Sequence, residues 1–156
     1  MNENEEFIEY DRFSKKMEEQ FPLMFAGRYG GFGVGKGWWP ILEALCNNIQ
    51  RHIDWSHKQR AWDIEKGNEP REVVPQVTVA QIKEKFGGLR FYYDGGDDTI
   101  DGMVRMAESW ASVSCEECGA PGVQRPGGWV KTLCDQHAAE REAKYRQIAK
   151  ENGFEE

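Results

Sequence analysis

Three cysteines and a histidine stand where they could share one metal ion. Cys115 and Cys118 are separated by two residues, fifteen residues lead to Cys134, and two more lead to His137. Two close pairs joined by a loop of that size supply the four ligands of a tetrahedral zinc site. The reason is local. Gly119 lets the chain turn tightly after Cys118, so both sulfurs point to one place. Cys134 and His137 are three apart and share a face if a helix begins there. Four protein ligands leave no position for water, so the expected task of the zinc is folding. In small modules that is worth on the order of 10 kcal/mol of apparent binding free energy. The rival, a structural disulfide, belongs to oxidising compartments. Cys46, alone in the stretch ILEALCNNI, falls on the apolar face of a helical pattern and reads as a small buried hydrophobe.

A second group could hold an anion. Residues 73–94 carry the clearest β signal, with Val77 and Val79 alternating with polar partners and Gly87-Gly88 supplying a two-residue turn. Leu89, Phe91 and Tyr93 share one face of the second arm, Arg90 and Tyr92 the other. The first arm presents Lys83 and Lys85 on one face. A basic, aromatic hairpin surface is a place for a nucleotide-like anion, with Lys83, Lys85, Arg90 and Tyr92 as its ligands. Its plainer alternative is an edge hairpin whose lysines discourage aggregation. Upstream, glycines at 27, 30, 31, 33, 35 and 37 accompany Arg28 and Lys36. Gly30 to Lys36 matches the first part of a phosphate-binding loop, but residue 37 is glycine where a hydroxyl should hold magnesium, and no β-branched strand precedes it. The segment reads as a glycine-rich connection, able to close over the hairpin anion through Arg28 and Lys36.

The elements that must position these residues give an α+β class. Residues 5–21 form an amphipathic helix with Phe7, Tyr10, Met17 and Phe21 on its stripe and Phe13 slightly off it, ending before Pro22. Residues 38–57 form a second helix, with Pro40 in its first turn. The polar stretch from Trp55 to Glu72 reads as a loop. Asp97 and Asp98 cap a third helix, in which Ile100, Val104, Ala107 and Ala111 recur at helical spacing. After the first cysteine pair come a turn at Pro126-Gly127-Gly128, a short strand over 129–133, and a helix from Cys134 onward, an order resembling a treble-clef zinc finger. The expected organisation is an α+β core over 1–112 with a central antiparallel hairpin, and a zinc module over 113–156 packed on it.

Composition narrows the partners. The net charge of −7 disfavours indiscriminate binding to DNA or anionic membranes. No run of apolar residues is long enough for a membrane span, and the acidic N-terminus lacks the features of a signal peptide. The expectation is a soluble, cytoplasmic protein.

The segments IKEKFGGLRFYYDGG (82–96), GKGWWPILEALCNNI (35–49) and the cysteine-histidine region (115–137) together resemble a family of small, mostly uncharacterised phage and bacterial proteins. The resemblance spans roughly residues 21–140. It implies the same organisation and a setting inside a bacterial host cell, and it supplies no mechanism. The expected function is therefore that of a zinc-stabilised phage-type accessory protein that acts by binding and counteracts host defence. Its partner would be a host protein, with Trp38, Trp39, Tyr92, Tyr93 or Trp129 as anchors, or a sequestered nucleotide-like anion. One alternative is a nucleic-acid-binding zinc protein using Arg125, Lys131, Arg141, Lys144, Arg146 and Lys150. Another is a zinc-scaffolded hydrolase or nuclease, for which His52, His57, Asp97, Asp98 and Asp101 are the acid–base candidates without a recognisable nucleophile.

Overall fold

The computed structural model describes residues 2–154. Helix α1 (Glu3–Gln20) begins with a reciprocal cap: the Asn2 side chain accepts from the Glu5 amide, and the Glu5 carboxylate accepts from the Asn2 amide. Its buried residues are Phe13 and Met17, whereas Phe7 is 72% exposed. The apolar stripe thus runs through Phe13, which the periodicity placed off it, and the first two turns stand in solvent.

A two-residue strand β1 (Phe32–Gly33) and a single 3-10 turn (Lys36–Trp38) lead into α2 (Trp39–Lys66). The helix is 28 residues long and absorbs most of the stretch expected as a loop. Two buried polar residues explain the extension. Ser56 Oγ accepts from the Val74 amide at 2.9 Å. Asp63 takes two side-chain bonds from Arg71, both 2.8 Å, and a third from the Arg71 amide at 3.1 Å. The returning segment 68–77 is thereby tied along the helix. Gly67, at φ 73°, ends α2 in the left-handed conformation that glycine adopts without a Cβ clash.

Strands β2 (Thr78–Lys85) and β3 (Gly88–Asp94) pair antiparallel, and β1 pairs parallel to β2, giving the order β1-β2-β3. The hairpin turn is Phe86-Gly87, one residue earlier than Gly87-Gly88. Both have positive φ, 53° and 75°, as the tight hairpin turn matched to strand twist requires. An irregularity between Val79 and Gln81 shifts the alternation, so Val79 and Ile82 are both buried. Helix α3 (Asp98–Ala111) follows, capped by Asp97 as expected, and lays Ile100, Val104, Ala107 and Ala111 in the core. The Glu108 carboxylate accepts from the Phe91 amide at 3.0 Å, pinning α3 to the sheet.

One apolar core, running from Phe13 to Ala111, joins α1, α2, α3 and the inner face of the sheet. Trp38 is fully buried within it and donates through Nε1 to the Ser114 carbonyl at 2.8 Å, so it is no surface anchor. The remaining chain is a small unit: a turn at 115–119, the hairpin β4 (Val123–Arg125) and β5 (Lys131–Leu133), and α4 (Asp135–Glu151), which has no buried residue. No helix of the described residues is long and apolar enough to cross a membrane.

Candidate metal centre and anion-binding face

The turn at 115–119 is made by the Gly119 amide donating to the Cys115 carbonyl at 2.8 Å, with Gly119 at φ 77°. Cys115 is buried and Cys118 is exposed at the rim. Cys134 is the N-cap of α4, and His137 lies one turn into that helix. Ligand atoms of all four residues lie within 4.8 Å of one another. A tetrahedral zinc with bonds of about 2.3 Å to sulfur and about 2.0 Å to nitrogen sets sulfur–sulfur separations near ~3.8 Å and sulfur–nitrogen separations near ~3.5 Å. The Cys118–Cys134 sulfurs are 3.9 Å apart, and His137 Nδ1 lies 3.6 Å from Cys115 Sγ and 3.2 Å from Cys134 Sγ. The cluster can hold a metal ion, and its dimensions suit zinc. His137 Nε2 points toward Glu140 Oε2 at 3.8 Å, too far for a hydrogen bond.

The His137 amide, foremost among the groups around Cys134, holds that thiol below its ordinary pKa. The Ala120 amide pulls Cys118 down, but desolvation and the sulfurs of Cys115 and Cys134 outweigh it and the thiol ends above its ordinary value. A dication among these sulfurs relieves that crowding by deprotonating its ligands outright.

The glycine-rich segment finds its purpose here. The Gly37 amide donates to the Glu116 carbonyl at 2.7 Å, and the Gly35 amide to Glu116 Oε1 at 3.1 Å. A Cβ on Gly37 would stand 2.2 Å from the Cys115 carbonyl oxygen, and one on Gly35 would stand 2.5 Å from that of Glu116. The two glycines let the core's backbone lie directly on the cysteine turn. Their amides are already committed, so neither serves an anion nest. Glu116 is itself buried, and its desolvation raises its pKa. Its second oxygen faces Lys131 Nζ at 3.7 Å, beyond hydrogen-bond reach, while Lys131 also meets Glu117 at 3.2 Å.

No protein-family model, curated protein or solved structure matches the chain.

The hairpin cations gather as their alternation indicated. Lys83 is the cross-strand partner of Arg90, Gln81 of Tyr92, and Lys85 of Gly88. This outer face is the one opposite buried Ile82, Leu89 and Phe91. Lys83 Nζ sits 5.5 Å from the Tyr92 ring centre, and Lys85 Nζ 5.6 Å from that of Phe86. Arg90 donates to its neighbour's carbonyl, that of Leu89, at 2.9 Å. Among the described residues none of Lys83, Lys85 and Arg90 makes an ion pair. On the other side of Lys83 in the sheet lies Gly33, which adds no side chain.

The other two expected ligands flank β1, which pairs with β2. Arg28 is exposed in the loop before β1. Lys36 meets Glu9 at 3.2 Å and lines an 820 Å³ cleft with Phe13, Trp39, Trp110 and the Cys118-Gly119 turn, which none of the hairpin cations lines. Of the acid–base candidates, His52 Nε2 contacts Asp97 Oδ2 at 2.8 Å, but that carboxylate already caps α3. Asp101 accepts from the Tyr93 hydroxyl. The cations of α4 are interleaved with acids, and Arg146 pairs with Glu142 at 2.7 Å, as a solvated helix face would. Sequence reasoning missed the Gly35–Glu116 and Gly37–Glu116 junction. Its only signal was the spacing of glycines before a tryptophan pair, which does not reveal what they touch.

Proposed function

We propose that the chain is a zinc-stabilised binding protein that holds a nucleotide-like anion on the outer face of its three-stranded sheet. One observation carries this reading: Lys83 and Arg90 stand directly opposite each other across β2 and β3 with no carboxylate to answer them. Like charges so placed oppose strand pairing, and a protein of net charge −7 has acids to spare for neutralising them. Opposed cations without a carboxylate partner are a local conflict of the kind that a site serving an anion would keep. Phosphate oxygens would bridge Lys83, Arg90 and Lys85, and the half-exposed Tyr92 offers a ring edge or face to a base.

Zinc in the Cys115, Cys118, Cys134 and His137 set would hold a treble-clef-like tail, whose turn buttresses the glycine segment leading from β1. The resemblance to phage and bacterial proteins supports a place in a bacterial host cell, where sequestering a nucleotide signal is a means of counteracting defence.

The test is calorimetric titration of the zinc-loaded protein with ATP and with a cyclic dinucleotide. Binding of either by the native chain, lost in the triple variant Lys83→Ala, Lys85→Ala, Arg90→Ala with an unchanged circular dichroism spectrum, supports the site. Equal binding by both proteins removes it. A mobility-shift titration with single- and double-stranded DNA at low salt separates a mononucleotide site from nucleic-acid binding.

A further inference from the structure

The tail meets the core at a second place, the end of the hairpin that bears the cations. Phe86 and Gly87 make that turn, and tail side chains take both of their carbonyls. Gln124 Nε2 on β4 donates to the Phe86 carbonyl at 2.7 Å, and Thr132 Oγ1 on β5 donates to the Gly87 carbonyl at 2.7 Å, the latter bond buried. The two surfaces are in close contact: a Cβ on Gly87 would stand 3.2 Å from Val130 Cγ1 and 3.4 Å from Thr132 Oγ1. Thr132 also reaches the metal set. Its carbonyl accepts from the Glu116 amide at 2.9 Å, next to Cys115, and it lies two residues before Cys134. One buried residue thus touches the hairpin turn with its side chain and the cysteine turn with its backbone.

The cations depend on the hairpin turn for their places. Lys85 precedes it and pairs with Gly88 across it. Arg90 lies back toward it, since a Cβ on Gly88 would stand 3.1 Å from Arg90 Nη1. Phe86 holds φ 53°, where Cβ crowds the backbone and where Asn, Asp or Gly are the usual residues. An aromatic residue keeps such a conformation when its surroundings over-determine it. Within the hairpin, Glu84 Oε1 accepts from the Gly87 amide at 2.6 Å. The bonds to the turn's carbonyls come from the tail.

We infer that the metal set and the anion face are coupled through this turn. Metal in the tail holds Phe86 and Gly87 in the conformation that sets Lys85 and Arg90 for an anion, and an anion bound there tightens the hold on the metal. The inference rests on the anion-binding reading of the hairpin and names how that site is regulated. Its two states are a turn clasped by an ordered tail and a turn released when the tail melts. Metal favours the first because it orders the tail. An anion bridging Lys85 and Arg90 favours it because their spacing is then fixed in advance. Two ligands that favour one state raise each other's affinity by the same factor.

Calorimetry with a cyclic dinucleotide, on the full chain loaded with zinc and stripped by a chelator, measures the coupling. The expected result is binding weakened about five-fold or more by stripping, and zinc held correspondingly more tightly when the dinucleotide is present. Hydrogen exchange at the Gly87 amide reads the turn itself and should quicken when metal leaves. Thr132→Val removes the buried hydroxyl and keeps the bulk. It should speed Gly87 exchange and weaken the dinucleotide, with zinc content and circular dichroism unchanged, and Gln124→Ala should act in the same direction. If the dinucleotide binds neither form, the anion reading falls and the inference with it. If it binds both forms equally, or Gly87 exchange ignores the metal, the anion reading stands and the coupling is overturned. Native behaviour in both variants overturns it as well.

Discussion

The α+β core and the cysteine-bearing tail are two answers to the problem of holding a chain together. In the core, long side chains from three helices and a sheet bury one another, from Phe13 through Trp38, Leu42 and Ile49 to Ala111. In the tail, α4 buries nothing, the hairpin arms are three residues each, and the well-buried residues are few, chiefly Cys115, Glu116, Thr132 and Leu133. Hydrophobic burial cannot organise so little apolar surface. A metal tying the turn to the start of α4 can, because it closes the loop with four strong bonds instead of many weak contacts. The core is thus a cooperative packing, and the tail carries a cluster able to act as a single-point staple.

The largest expected effect follows from that difference. Stripping the metal with a strong chelator removes on the order of 10 kcal/mol from the tail and nothing directly from the core. Hydrogen exchange should show residues 115–151 losing protection while α2, β2 and β3 keep theirs. Cys134→Ser should reproduce the pattern with loss of bound metal measured by elemental analysis. Collapse of protection throughout the chain would erase the distinction, and retention of the tail would show that it needs no metal.

The junction between the regions offers a finer break. Gly37→Ala places a Cβ 2.2 Å from the Cys115 carbonyl, in a backbone contact with no flexible side chain to yield. Overpacking of this kind costs about 1–3 kcal/mol. Denaturant midpoint and metal-competition affinity should fall together, because the Gly35–Gly37 segment and the cysteine turn can separate only by deforming both. Gly27→Ala, which meets nothing within 4 Å, is the matched control and should change neither.

What could be read from the residues followed the same division. The metal set was legible because its ligands are close pairs whose geometry is decided within a few residues. The hairpin was legible because alternation exposes two faces, though its turn fell one residue early: Phe86 takes a positive φ that only the pairing of Lys85 with Gly88 reveals. The second half of α2 was hidden. Trp55, Trp62 and Ile64 are exposed there while Ser56 and Asp63 are buried, the reverse of what an apolar stripe shows. Their burial makes sense only once the segment around Arg71 and Val74 folds back, a contact far along the chain. Clearance at Gly35 and Gly37 is non-local in the same way.

That folded-back segment supplies a pH test inside the core. Arg71, through its side-chain and then its amide hydrogen bonds, holds the Asp63 carboxyl down to about 2 from an ordinary value near 4. A carboxyl whose folded pKa is depressed contributes stability that is complete above the unfolded pKa and lost as pH falls through the folded one. Thermal melts should therefore show part of the stability disappearing between about pH 4 and about pH 2, and Asp63→Asn should abolish that part. Hydrogen exchange should locate the change at the end of α2 and in residues 68–74, with the tail unaffected by the substitution.

The smallest effect is the one that most sharpens the functional reading, because its sign is unusual. Lys83→Thr replaces one of two opposed cations with a residue that favours strands. Lys83 lies on the central strand, between Gly33 and Arg90, so it guards no sheet edge. If it and Arg90 merely decorate a solvent-facing surface, losing one costs nothing or slightly destabilises by uncovering the Tyr92 ring. If they are held against each other for a ligand, the free protein gains about 0.2–1 kcal/mol in cross-strand pairing while nucleotide affinity falls. The gain should shrink as salt rises, since screening weakens the repulsion that it relieves. Adding nucleotide should raise the melting temperature of the native chain and leave the variant where it was. A stabilised variant that has lost its ligand response would show that the hairpin trades pairing energy for binding, whereas a destabilised one would return the lysines to an ordinary structural role.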